Sequence, residues 1–138
     1  MSYAKQLLES DAAPPVDASL VAATIDALSD CAQACTADAD ADLREDDVKT
    51  MITCIRLCLD CTDVCTATVG VISRRAAYDQ AVTGPLLEAC AATCARCGVE
   101  CESHAREHSH CRVCAEACRR CEQACRDLLA GGELGDRS

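Results

Sequence analysis

The stretch CIRLCLDCTDVC, residues 54–65, decides the fold, because its four cysteines follow one another at steps of four, three and four residues. The same C-x3-C-x2-C-x3-C spacing returns at residues 90–101 and 114–125, and Cys31 and Cys35 form half a copy. These steps place side chains on the one face of a helix that contacts the neighbouring helices of a bundle. Leucine and isoleucine usually occupy that face, so the sequence predicts a helical bundle whose core is made of thiols.

The rest of the chain favours helices as well. The alternation typical of strands is absent, and Ala, Leu, Glu, Arg and Gln, which favour helices, are abundant. The sequence predicts an all-α protein, an up-down-up-down antiparallel four-helix bundle with a short extra N-terminal helix. The expected helices cover residues 3–10, 16–38, 43–74, a third long helix that begins near Ala76 or near Thr83 and ends near His104, and a fourth that ends near Ala130.

The links between these helices are predicted from their turn and cap residues. The acidic segment DADAD, residues 38–42, is expected to form the first turn, with Asp40 or Asp42 as the N-cap of the second long helix. Pro85 is expected either to kink the third long helix or to lie in its first turn. The domain organisation that follows is a short helix and proline linker over residues 1–15, one bundle over residues 16–130 and a flexible tail over residues 131–138.

Composition and charge restrict the class of protein. The 138 residues include 15 cysteines, an odd number that excludes complete internal disulfide pairing, and they contain no Phe or Trp to fill a core. The first residues lack the pattern of a secretory signal, and no apolar stretch reaches the length of a membrane span. A cytoplasmic protein with reduced thiols and no membrane partner is therefore expected. The net charge of -10 argues against a nucleic-acid partner.

The cysteine stripes continue into other residues that can bind a soft metal. Beyond Cys101, steps of three and four reach His104 and His108, and a step of three before Cys54 reaches Met51. The candidate metal ligands are Cys31, Cys35, Cys54, Cys58, Cys61, Cys65, Cys90, Cys94, Cys97, Cys101, Cys111, Cys114, Cys118, Cys121, Cys125, His104, His108, His110 and Met51.

An antiparallel bundle brings some of these candidates to one end. The end of the first long helix, the start of the second and the link between the third and fourth lie on the same side of such a bundle. The sequence therefore predicts a channel mouth that is formed by Cys31, Cys35, Met51, Cys54, Cys101, His104, His108, His110 and Cys111.

Thiolates are soft ligands that select Cu(I), zinc or iron–sulfur clusters, and charge favours copper among these. One Cu(I) neutralises one thiolate, whereas a zinc ion with four thiolates leaves two negative charges that are costly to bury. The stripes contain no Lys or Arg that would compensate such charges. If every thiolate bridges two coppers, the capacity approaches one Cu(I) per cysteine, on the order of 15 per chain.

The three four-cysteine stripes, the half-stripe Cys31/Cys35 and the histidines between 104 and 110 give the chain a family resemblance. Over about residues 16–130 it resembles the bacterial copper storage proteins. The resemblance implies a thiolate-lined bundle loaded with multiple Cu(I) ions, entry of copper at the histidine end and assembly as a homotetramer. Without a twin-arginine pair at its N-terminus, the chain is similar to the cytosolic branch of that family. One departure is the stripe positions Val21, Thr24 and Leu28, which carry no thiols.

The function that the sequence predicts is storage, sequestration and detoxification of Cu(I), with a copper chaperone as the partner that delivers or receives the ion. No enzymatic activity is expected, because a thiol enzyme needs an accessible cavity and a base beside its nucleophile. Three alternatives stay open at this point: a zinc or general soft-metal buffer, an iron–sulfur or thiol redox protein, and a structural bundle without metal.

Overall fold

The computed structural model describes residues 2–10, 18–74 and 78–131. It confirms the antiparallel four-helix bundle with a short extra helix at the N-terminus, and the described residues contain no strand. The helices are α1 Tyr3–Glu9, α2 Ala18–Asp42, α3 Ile52–Ser73, α4 Gln80–His104 and α5 Ser109–Ala130, with a short 3-10 helix at Val48–Met51. Both α2 and α4 pack against α3 and α5, and α1 packs on α2. None of the helices in the described ranges is long and apolar enough to cross a membrane.

The first link differs from its prediction. The predicted turn over residues 38–42 is wrong, because α2 continues through this segment to Asp42. Asp38 and Asp42 are completely buried, and their contacts inside the bundle override the low helix propensity of aspartate. The prediction that Asp40 or Asp42 caps the second long helix is also wrong. Residue Met51 precedes α3, without a side-chain cap bond.

The third long helix begins between the two predicted starts. The side chain of Asp79 caps it by accepting a hydrogen bond from the amide of Ala81 at 3.0 Å. Pro85 lies inside α4, near its N-terminal end. The Tyr78 hydroxyl donates to the carbonyl of Ile72 at 2.5 Å and so ties the start of α4 to the end of α3. Pro14, Pro15 and the tail beyond residue 131 lie outside the described residues.

The core of the bundle has two zones along its axis. All 15 cysteines are buried, with at most 1 % of any of them exposed, and they fill most of the length. At the end where α2 and α4 begin, large aliphatic residues replace the thiols. This apolar end consists of Val21, Leu28, Ile72, Leu87 and Leu128. In the described part of the chain, the bundle thus has a conventional hydrophobic core at this end, and we expect that end to supply much of the stability of the metal-free protein.

The apolar end gives the first testable prediction. Leu28 is completely buried, so we expect Leu28→Ala to lower the free energy of unfolding of the reduced, metal-free protein by about 2–5 kcal/mol. The control is Leu43→Ala, since Leu43 is 62 % exposed and its removal should change stability little. Urea denaturation followed by circular dichroism measures both variants. Equal stability of the two would show that this end does not stabilise the bundle.

Candidate metal centre

The inner faces of the four long helices form a column of sulfur atoms along the bundle axis. Neighbouring sulfurs lie 3.6–3.9 Å apart, both within a helix and between helices. Within α3, for example, Cys61 Sγ lies 3.8 Å from Cys65 Sγ, one helical turn away. Across the bundle, Cys65 Sγ lies 3.8 Å from Cys121 Sγ on α5. The 4-3-4 spacing therefore places the thiols where the sequence predicted them, facing one another in the core.

Ligand atoms in this column form compact groups whose members lie within 4.8 Å of one another. Five of these groups are Cys31/Cys65/Cys94/Cys121, Cys31/Cys35/Cys61/Cys118, Cys35/Cys58/Cys97/Cys114, Asp38/Cys54/Cys58/Cys101 and Cys90/Cys121/Cys125. Four cysteines, Cys31, Cys35, Cys58 and Cys121, each belong to two of the groups. The groups are thus not separate sites, because a thiolate in one of them is also within reach of a metal in the next.

The expected position of Cys31 and Cys35 at the channel mouth is wrong. Cys31 Sγ lies 3.7 Å from Cys61 Sγ and Cys35 Sγ lies 3.7 Å from Cys118 Sγ, which places both in the middle of the column. The reason is the length of α2, which extends four residues beyond its predicted end at residue 38. Because α2 continues to residue 42, its last turns lie at the mouth. The α2 residues that face the mouth are therefore ones that follow Cys35.

Those positions belong to Asp38 and Asp42, which were not predicted to be site residues. They continue the stripe of α2 at steps of three and four after Cys35, so α2 carries C-x3-C-x2-D-x3-D where the other long helices carry four cysteines. Asp38 Oδ2 accepts hydrogen bonds from the thiols of Cys54, Cys58 and Cys101 at 3.5–3.6 Å. The 4-3-4 spacing itself was the available signal, but the acidic run was interpreted as an exposed turn.

His110 connects these buried carboxylates to the surface. Its Nδ1 lies 2.5 Å from Asp38 Oδ1 and 3.5 Å from Asp42 Oδ1, and its Nε2 lies 3.0 Å from Glu45 Oε1. Burial lowers the pKa of His110, but the carboxylates of Asp38 and Glu45 outweigh that effect and the net shift is upward. Burial raises the pKa of Asp38, although the contact with His110 opposes it. Burial and the neighbouring Cys54 raise the pKa of Asp42 to about 8.

The other predicted mouth residues have different surroundings. His108 lies beside His110, with ring centroids 5.3 Å apart, and its two ring nitrogens lie 3.3 Å from Glu45 and Asp47. His104 Nε2 instead lies 2.9 Å from Glu100 Oε2 on its own helix, so a carboxylate and not a thiol is its partner. Met51 is completely buried at the end of the 3-10 helix. Cys101 lies at the mouth as predicted, with its Sγ 3.6 Å from Asp38 Oδ2 and 3.8 Å from Cys54 Sγ. The residues that form the mouth are Asp38, Asp42, Glu45, Met51, Cys54, Cys101, His108, His110 and Cys111.

The thiols of the metal-free column have perturbed acidity. Contacts with Cys114 and other thiols, together with burial, raise the pKa of Cys35 far above its ordinary value. Contacts with Cys121 and Cys90, and burial, do the same to the pKa of Cys125. Contacts with neighbouring thiols lower the pKa of others, such as Cys31 and Cys97, so neighbouring thiols differ in acidity. Adjacent thiolates in a core of low dielectric would repel one another, so thiols such as Cys35 and Cys125 keep their protons until a cation replaces them.

Comparison with known proteins agrees with this arrangement. The family model of the copper storage proteins matches residues 17–130 of the chain, which is most of its length and the whole thiol column. The chain belongs to the copper storage protein family. The resemblance that the stripes indicated is therefore confirmed.

Individual proteins are similar to the chain over most of their length. A structure of the copper storage protein Ccsp from Streptomyces lividans loaded with 10 copper equivalents is 54% identical, with a TM-score of 0.90, and the match covers 93% of this chain and 98% of that one. A structure of the cytosolic copper storage protein from Streptomyces lividans with five coppers is 57% identical, with a TM-score of 0.80, covering 81% and 93%. An uncharacterized cysteine-rich protein of Bacillus subtilis, YhjQ, is 33% identical over 108 residues, covering 78% of this chain and 94% of its own.

Proposed function

We propose that the protein binds many Cu(I) ions in its thiol column and stores them away from water and oxidants. The observation that carries the proposal is the sharing of Cys31, Cys35, Cys58 and Cys121 between adjacent groups of ligand atoms. A thiolate that lies within reach of two metals can bridge them, and bridged thiolates give close to one copper per sulfur. The proposed ligands are the 15 cysteines, with His108, His110 and Met51 at the mouth.

Charge supports copper over zinc as the metal that fills the whole column. A column in which each thiolate serves two Cu(I) ions is close to neutral and can stay buried. Zinc groups of four thiolates would leave negative charge in the core, and the nearby arginines pair with carboxylates at the surface instead. Arg119 lies 2.5 Å from Glu102, and Arg120 lies 2.6 Å from Asp30. The stripe positions themselves hold no Lys or Arg that could supply the counter-charges a zinc-filled column would need.

The proposed role is storage and not catalysis. The thiols are completely buried, and a metal-saturated sulfur is a poor nucleophile. We propose that the protein acts in the cytoplasm, where thiols stay reduced, and that a copper chaperone delivers Cu(I) to the mouth or receives it there.

We also propose that several bundles assemble into an oligomer. The exposed apolar side chains of Leu59 on α3, Val99 on α4 and Val113 on α5 support such contacts.

An anaerobic titration with Cu(I) against a competing chelator tests the proposal. We expect tight binding of on the order of one Cu(I) per cysteine in the reduced protein. A variant with serine at all four α3 stripe positions, 54, 58, 61 and 65, should lose at least four of these ions. Circular dichroism of the variant controls for loss of the helical fold. Saturation of the original protein at one or two ions would overturn storage in a bridged column.

A further inference from the structure

The mouth contains a buried carboxylate oxygen without a partner. Asp42 is completely buried, and among the described residues its Oδ2 has no hydrogen-bond donor. Its other oxygen, Oδ1, accepts a hydrogen bond from the Cys111 thiol at 3.5 Å. A buried carboxylate that lacks donors is costly unless a cation compensates it. In the metal-free protein a proton offsets this cost, and a cation that displaces the proton would satisfy the same oxygen.

Three atoms of different chemistry surround that point. Asp42 Oδ1, His110 Nδ1 and Cys111 Sγ form a triangle with sides of 3.5, 3.6 and 3.5 Å. In a tetrahedral zinc site, bond lengths near 2.0 Å to oxygen and nitrogen and 2.3 Å to sulfur give edges of about 3.3–3.6 Å. The triangle has the dimensions of one face of such a tetrahedron.

A fourth ligand lies beside the triangle. Cys54 is completely buried, and its thiol donates a hydrogen bond to Asp38 Oδ2 at 3.6 Å. Contacts with Cys101, and further contacts with Cys111 and Asp42, lower the pKa of this thiol. In zinc sites, the ring nitrogen of a histidine that does not bind the metal usually contacts a carboxylate. His110 has such a partner, because its Nε2 lies 3.0 Å from the carboxylate of Glu45. When Nδ1 binds a metal it must leave Asp38, but Asp38 keeps hydrogen bonds from Cys58 and Cys101.

We propose that Asp42, Cys54, His110 and Cys111 form a tetrahedral site for one divalent ion of the zinc class at the mouth of the column. A carboxylate and an imidazole suit borderline divalent ions better than Cu(I), which prefers sulfur. Two thiolates, one carboxylate and one Zn²⁺ leave a net charge of only about -1. The rest of the column offers almost exclusively sulfur ligands, so we expect it to bind a different class of metal ion from the one bound at the mouth. The site shares Cys54 and Cys111 with the proposed copper ligands, so occupancy by zinc would compete with copper there.

Co²⁺ is the probe for the test, because its visible spectrum reports tetrahedral geometry and the number of sulfur ligands. Reduced, metal-free protein is titrated with Co²⁺, and the ion is then displaced with Zn²⁺ in the presence of a chelator. We expect the first equivalent to give the spectrum of a site with two sulfurs, one nitrogen and one oxygen. Asp42→Asn should weaken that equivalent at least tenfold. Asp40→Asn, an exposed position on the same helix, should leave it unchanged.

Two results would overturn the proposal. One is a first equivalent with the spectrum of a four-sulfur site, which would place the ion deeper in the column. The other is an affinity that Asp42→Asn and His110→Ala leave unaltered. Helical circular dichroism and Cu(I) capacity of the same preparations show whether each variant still folds and stores copper. A loss of the divalent site with normal copper capacity is thereby distinguished from a failure of copper storage.

Discussion

Loading the reduced, metal-free protein with Cu(I) is expected to raise its midpoint of thermal unfolding by more than about 20 °C. The metal-free bundle buries small residues where other bundles bury Leu and Phe. Among the residues that the structure describes, its cluster of large buried aliphatic side chains lies at the apolar end around Leu28 and Ile72. Small thiols contribute less buried apolar area than leucine, so the stability of the metal-free form is expected to be modest.

Copper changes this balance because each bound ion stabilises the folded state. An ion present at about a thousand times its dissociation constant contributes about 4 kcal/mol if it binds the folded form alone. Thiols of the unfolded chain also bind Cu(I), which reduces that contribution per ion. The shared positions of Cys31, Cys35, Cys58 and Cys121 exist only in the folded bundle, however. Several ions together should exceed 10 kcal/mol, and each kcal/mol is worth about 2–4 °C at this chain length.

Thermal unfolding followed by circular dichroism under argon measures the shift, with and without about ten equivalents of Cu(I). The matched control is the variant with serine at positions 54, 58, 61 and 65. It lacks the α3 thiols of four of the five groups named above and should gain much less from copper. A shift of only a few degrees in the original protein would mean that the unfolded chain binds copper as well as the bundle does.

The fold and most of the thiol column could be predicted from the sequence because one periodicity determines both. A 4-3-4 spacing is incompatible with strands and places every stripe residue on the inner face of a helix. The stripe on α3, from Cys54 to Cys65, therefore specified its own burial and its partners across the bundle. The apolar end was also visible in part, because Val21, Thr24 and Leu28 occupy stripe positions of the first long helix without being thiols.

What could not be predicted is the register of α2, since it depends on tertiary contacts. Asp38 and Asp42 have low helix propensity and follow the sequence pattern of an exposed turn. Their burial is stable because His110 and the thiols of Cys54 and Cys111 surround them, and those residues are distant in the sequence. The same contacts decide that carboxylates, and not Cys31 and Cys35, line the mouth. The histidines were correctly placed at this end, but their carboxylate partners were not foreseen.

The buried Asp42 should make the metal-free protein less stable as the pH rises. Its pKa is raised to about 8 in the folded state, whereas an unfolded chain releases the proton near its ordinary value of about 4. Between these values the folded state holds a proton that the unfolded state has lost. The contribution of Asp42 to the free energy of unfolding therefore falls by up to about 1.4 kcal/mol per pH unit across that window. The penalty is absent below the lower pKa and complete above the higher one.

Asp42→Asn removes this dependence, because the amide is neutral at every pH and retains an oxygen that accepts from Cys111. We expect the variant to be more stable than the original protein near pH 8.5 by several kcal/mol, with about 5 kcal/mol as the upper limit, and nearly equal to it near pH 4. Urea denaturation of reduced, metal-free samples at both pH values measures the difference. Asp40→Asn, whose side chain is 72% exposed, controls for the loss of one surface charge. An equal effect of Asp42→Asn at the two pH values would show that the carboxylate is ionised throughout. A pH-dependent gain would mean that the protein keeps Asp42 at the expense of its own stability, as expected for a residue whose partner is a cation.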